Sequence, residues 1–155
     1  NFHLLGATAL TLMFGPRLSL FGLTLVLAAM TLAGKSGLFS LAANGLSMIL
    51  VPVLVSHAIY RVADSKLPNH IFVYIFVNGF FGGALAMAAS GAASTLLLGM
   101  SGAYSWPYLL ANYLPYYILL GWSEALLTGM ALTLMVVFRP EWVGTFDDAR
   151  YLRHK

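Results

Sequence analysis

A chain of 155 residues that is 60% hydrophobic and 8% charged, with a mean hydropathy of +0.84, cannot build the water-facing surface of a soluble domain, which takes about 25% charged residues. That composition excludes a soluble globular fold and makes lipid the solvent for most of the surface. The net charge of +3 comes from cations scattered singly at segment ends, which excludes a nucleic-acid-binding patch, and the absence of cysteine excludes disulfides and thiolate metal sites.

Charges, glycines and prolines divide the chain into five apolar segments and predict an all-α, polytopic transmembrane helical bundle of about five spans. The first segment covers residues 1–14. Its apolar part is shorter than the roughly 20 residues a helix needs to cross a hydrocarbon core. It therefore reads as the end of a helix that begins upstream. Gly15-Pro16-Arg17 predicts a tight turn, because Gly and Pro both stop a helix. The second span covers 18–33 and is closed by Gly34-Lys35-Ser36-Gly37. The third covers 38–60 and holds Pro52, tolerated in a membrane helix as a kink. Residues 61–70 form the longest polar connection. The fourth span covers 71–100, an aromatic and turn-rich region follows at 101–114, and the fifth span covers 115–138. Residues 1–140 are then the membrane bundle, and 141–155 a charged cytoplasmic tail.

Basic residues prefer the cytoplasmic side of a membrane. With the tail inside, Arg17, Arg61, Lys66, Arg139, Arg150, Arg153 and Lys155 all lie inside, and Lys35 alone lies outside. Five crossings then put the N-terminus, and His3 with it, on the outer side. Tyr104, Trp106, Tyr108, Tyr113, Tyr116 and Tyr117 cluster where headgroup-level anchors belong at the outer face. Trp142, Phe146 and Tyr151 are candidates for the same role at the inner face.

Gly79 and Gly83 form a GxxxG step, and Ala84 and Ala88 continue the small residues at helical spacing. Small residues let helix backbones approach closely, where packing drives association. This face either packs within the bundle or docks a partner membrane subunit.

Ionisable and polar groups inside the membrane mark function or helix cross-links. Glu124 falls near the bilayer midplane, where a charge costs about 2.5–3.5 kcal/mol on insertion scales. Ser123 is adjacent and Thr128 lies one turn on. Glu124 reads either as part of a transport route or as a protonated cross-link between helices. Asn44 and Asn78 are also intramembrane candidates, as route residues or as interhelical glue. His3, in an apolar stretch near the outer side, can offer a neutral imidazole nitrogen to a divalent metal arriving from outside. His57, one turn before Arg61, sits too close to the inner face to pair with Glu124 as an intramembrane catalytic couple. HExxH, GxSxG and GxxxxGK[ST] are all absent, so the sequence offers no zincin protease, hydrolase elbow or P-loop, and the expectation is a protein that is not an enzyme.

Several segments together resemble the CbiM/NikM family, the substrate-capture permeases of energy-coupling-factor ABC transporters for cobalt and nickel, in a proteobacterial branch. They are Phe2-His3 with Gly6 and Thr8 ahead of Phe14-Gly15-Pro16, and Asn44-Gly45-Leu46-Ser47-Met48 with Pro52. They continue with Pro68-Asn69-His70 running to Asn78-Gly79, the helix segment Glu124-Ala125-Leu126-Leu127-Thr128-Gly129, and the tail Phe138-Arg139-Pro140-Glu141-Trp142. The resemblance implies a multi-pass protein of the bacterial inner membrane that works with a transmembrane coupling subunit and a pair of cytoplasmic ATPases. It implies no tightly bound cofactor, with Co2+ or Ni2+ as cargo. It also implies nitrogen ligands from a Met-His start, which this sequence does not contain, and from the histidine matched by His3, here followed by Leu4-Leu5. Nitrogen ligands suit cobalt or nickel over magnesium or calcium. The alternative is a membrane scaffold subunit that binds no metal and uses the small-residue face around Gly79 and Gly83.

Overall fold

The computed structural model describes residues 6–35, 37 and 40–152, and contains helices and no strands among them. Among the described residues, four helices are long and apolar enough to cross a membrane: α1 (Ala7–Leu32), α2 (Leu41–Lys66), α3 (Ile71–Met100) and α4 (Trp106–Phe138). A turn of 3-10 helix (Pro140–Trp142) and a short α5 (Asp148–Tyr151) follow. Helices satisfy the backbone polar groups of each segment within that segment, as hydrocarbon demands, and the long uninterrupted apolar runs suit them.

The segment count differs from the five expected because the first two lie in one element. Within α1, Gly15 has φ 78° and ψ 168°, values far from helical, and Pro16 follows it. Only glycine reaches that backbone region without strain. Contacts on the two sides of Gly15 run opposite ways along α2. Before it, Thr8 meets Ser56, and Leu12 shares a buried cluster with Tyr60, one turn further along α2. After it, Leu27 reaches Gly45, back near the start of α2. The chain therefore turns at Gly15. Residues 7–14 form a half-length helix inside the bundle, and 16–32 return along its rim, with Leu18, Phe21, Leu25 and Val26 exposed outward.

Helix α4 begins at Trp106, well ahead of the expected start at residue 115. Pro115 does not break it, because residues Leu109–Tyr113 form a widened π turn immediately before. The wider turn moves the carbonyl that the proline ring would strike and absorbs the missing N–H. Pro52 sits in the same relation to the π turn Leu46–Leu50 in α2.

Helices α3 and α4 form the centre. A Cβ on Gly79 would lie 2.9 Å from Leu132 Cδ2 and 3.5 Å from Gly129 Cα, and one on Gly83 would lie 3.2 Å from the Glu124 carbonyl oxygen. The two backbones thus touch along Gly79 and Gly83 on one side and Gly121, Ala125 and Gly129 on the other. Ala84 and Ala88 lie beside this seam, where they line an apolar groove with Tyr117, Gly121 and Trp122 on the outside of the pair.

Residues 139–152 do not hang free. Val143, Phe146 and Tyr151 are buried with Leu12, Tyr74, Leu132 and Val136. Phe146 stacks on Tyr151 at 5.1 Å between centroids, and Tyr74 meets both rings. The expectation that Phe146 and Tyr151 are headgroup anchors is corrected: burial against Tyr74 makes them core. Trp142 remains exposed. Full burial of such a side chain stabilises by about 1.5–3 kcal/mol, enough to hold this strap across the bundle end.

Candidate functional site

The polar interior is assembled around the half-helix 7–14. Gly6, in the left-handed conformation at its start, donates its N–H to Glu124 Oε1 at 2.8 Å. Glu124 is 3% exposed near the middle of α4. A helix N-terminus has orphan N–H donors and a partial positive charge, so a carboxylate there is both bonded and electrostatically favoured. That is the local reason an acidic residue persists in an apolar helix. Gly83, by lacking a side chain, lets α3 approach the same turn of α4.

One turn into the half-helix, the Thr8 and Ser56 hydroxyls lie 2.6 Å apart, and the Ser56 hydroxyl also donates to the Pro52 carbonyl. The Thr8 methyl lies where a Cβ on Gly82 would stand in contact at 3.5 Å. Thr8 is thus wedged between α2 and α3. At its far end, the half-helix offers the Leu12 and Met13 carbonyls to the tail. Gly144 N–H donates to Met13 at 2.9 Å, and Thr145 donates to Leu12 through its N–H at 3.2 Å and its hydroxyl at 2.7 Å. The Tyr74 hydroxyl lies 2.6 Å from the Thr145 hydroxyl.

The residues singled out from sequence are distributed as follows. Glu124 and Thr128 are buried on one face of α4, a turn apart. Asn78 is 4% exposed on α3, in a π segment (Tyr74–Phe81), and its Oδ1 has no hydrogen-bond partner. It lies one turn from Tyr74 and one from Gly82, on the face turned to the half-helix. Asn44 is half-buried near the start of α2 and donates to the Ser40 hydroxyl at 3.3 Å. It belongs to another level of the bundle: neighbouring Ser47 accepts from Ser90, about two turns along α3 from the Gly83–Glu124 contact. His57 is half-buried beside Tyr60, and His70 caps α3 by accepting from Phe72 N–H. His3 lies outside the described residues. Among the described residues, no three His, Asp or Glu side chains gather to hold a metal ion.

Sequence reasoning missed Gly6, Ser56 and Thr145. Gly6 and Thr145 act mainly through backbone or a single hydroxyl on partners more than 100 positions away, and no local pattern announces such pairs. The Gly121, Ala125, Gly129 spacing on α4 was a readable signal for the partner of the Gly79–Gly83 step.

A family model described as the cobalt uptake substrate-specific transmembrane region, CbiM, matches residues 1–142. No curated protein and no solved structure matches the chain. The family consists of transport components that work with other transporter subunits in the membrane, which suits a bundle with four apolar helices. The chain therefore belongs to the CbiM family, the cobalt-uptake transmembrane components of energy-coupling-factor-type transporters, and is a multi-pass membrane protein.

Proposed function

We propose that this chain captures a divalent transition metal, cobalt or nickel, as the permease of an energy-coupling-factor transporter in a bacterial inner membrane. A transmembrane coupling subunit and cytoplasmic ATPases supply the energy. The observation that carries the reading is the bond from Gly6 N–H to the buried Glu124 carboxylate. It fixes the start of the half-helix in the middle of the bundle. His3 precedes Gly6 by three residues in the sequence. In this reading His3 supplies an imidazole nitrogen to the metal. Glu124 holds the chain that carries it, and Asn78 and Thr128 line the polar route behind it. A nitrogen ligand on a borderline-soft metal matches cobalt or nickel.

The orientation belongs to the same reading. The turn at Gly15, the end of α2 and the tail share one end of the bundle, through Thr145 with Leu12 and Arg150 with Asp64. Arg17, Arg61, Lys66, Arg139 and Arg150 fall at or near that end and Lys35 at the other, which makes the tail end cytoplasmic. Metal then enters from the Lys35 side.

Cobalt titration of the purified full-length protein and its His3→Ala variant tests the assignment. The expected result is saturable binding by the wild type and its loss in the variant. Unchanged binding in His3→Ala removes His3 as a ligand. A wild type that binds neither metal and never copurifies with ATPases supports a scaffold instead.

A further inference from the structure

The matched region ends at residue 142, yet the next nine residues make the contacts that hold the far end of the half-helix. We propose that the segment Gly144 to Tyr151 is a positioning clamp for metal capture, acting through the half-helix 7–14 from the opposite end to Glu124. The proposal rests on the functional reading above.

Three donors converge on two carbonyls. Gly144 N–H reaches Met13, and the Thr145 N–H and hydroxyl both reach Leu12. The residue four places after Leu12 is Pro16, which has no N–H to give, and Gly15 departs from helical geometry, so the ordinary helical donor to the Leu12 carbonyl is missing. Gly144 is required to be small, since a Cβ there would lie 2.8 Å from the Met13 carbonyl oxygen. The clamp is tied to two further helices. The Tyr74 hydroxyl of α3 pairs with the Thr145 hydroxyl, and the Tyr60 hydroxyl of α2 donates to the Thr145 carbonyl at 3.4 Å. Its distal end is latched to α2 by Arg150 and Asp64 at 2.7 Å, with the Tyr151 hydroxyl donating to the same carboxylate at 3.3 Å.

The half-helix is thus held at one end by Glu124 and at the other by Thr145. A short helix moves as a rigid rod, so release at the tail end changes the placement of Gly6 at the other end. The Arg150–Asp64 latch is part-exposed, at 39% and 27%. Coupling therefore runs from the tail end to the capture end through one packed element, and not through the whole bundle.

The test compares full-length wild type with Thr145→Val, which keeps the shape and removes the hydroxyl, and Thr145→Ser, which restores it. Tyr74→Phe is a second route to the same bond should Thr145→Val fold poorly. Two readouts are taken on folded protein in nanodiscs: amide hydrogen exchange in residues 7–14, and cobalt affinity. The clamp predicts about tenfold faster exchange and about tenfold weaker cobalt binding in Thr145→Val and Tyr74→Phe, with both restored in Thr145→Ser. Wild-type exchange in Thr145→Val and Tyr74→Phe overturns the clamp. Faster exchange with unchanged cobalt affinity reduces the tail to a purely structural strap and also overturns it. A wild type that fails to bind cobalt overturns the functional reading and, with it, the clamp's role in capture, whatever the exchange comparison gives.

Discussion

Replacing Glu124 with leucine removes the acceptor for Gly6 N–H while keeping an apolar side chain of similar reach. A hydrogen bond to a charged group contributes about 1.5–3 kcal/mol, and the partly buried Gly6 donor is then left unpaired in an environment without water. By that measure the half-helix start shifts toward release by a factor of about 10–150. Capture that needs the held state weakens by at most the same factor, because apparent affinity scales with the population of the competent conformer. Glu124→Gln keeps an amide oxygen in the same place and loses only the charge, so its cost is about 1 kcal/mol. Cobalt titration in nanodiscs, with thermal unfolding followed in parallel, separates capture from global stability. The expected order of affinity is wild type, then Glu124→Gln, then Glu124→Leu. A Glu124→Leu protein that is folded and binds cobalt like the wild type refutes the tether.

Gly15→Ala places a side chain at φ 78° and ψ 168° and should destabilise by about 1–3 kcal/mol in denaturant unfolding; a neutral effect would show that the turn relaxes elsewhere. Gly91→Ala drives a Cβ into the root of the Tyr117 ring and should cost about 1–3 kcal/mol, recovered in part by pairing it with Tyr117→Ala. A double-mutant cycle on Arg150 and Asp64 should give no more than about 1 kcal/mol, since both side chains are part-exposed. Burial, reinforced by the charges of Tyr60 and Asp64 and opposed by Arg150, pushes the Tyr151 hydroxyl up from 10.0 to about 12. The folded state therefore favours the neutral phenol. Its contribution is complete below pH 10 and is lost as pH rises from 10 toward 12. Strap release followed by tail proteolysis should show that step in the wild type and lack it in Tyr151→Phe.

The long helices were legible because lipid imposes one rule on every residue of a span, and uninterrupted apolar runs record it. Gly15-Pro16 was legible as a turn for the same reason that Gly15 now sits at a positive φ. Pro115 misled in the opposite direction. A proline in an aromatic run reads as a boundary, but the π turn at Leu109–Tyr113 carries the helix through it, and that compensation leaves no mark in local propensity. Glu124 stood out because charge is rare in hydrocarbon. Its partner did not, since Gly6 contributes only an N–H from 118 positions away. The tail was the largest surprise. Its polarity suggests a solvated segment, whereas Val143, Phe146 and Tyr151 have their complement in Leu12 and Tyr74, which no window of sequence brings together.

Transport of radioactive cobalt into vesicles that contain the full-length chain with its coupling subunit and ATPases puts metal capture by this chain to the test. ATP-dependent accumulation that His3→Ala abolishes and Glu124→Leu weakens is expected. Accumulation at wild-type rates in both variants would contradict the capture role.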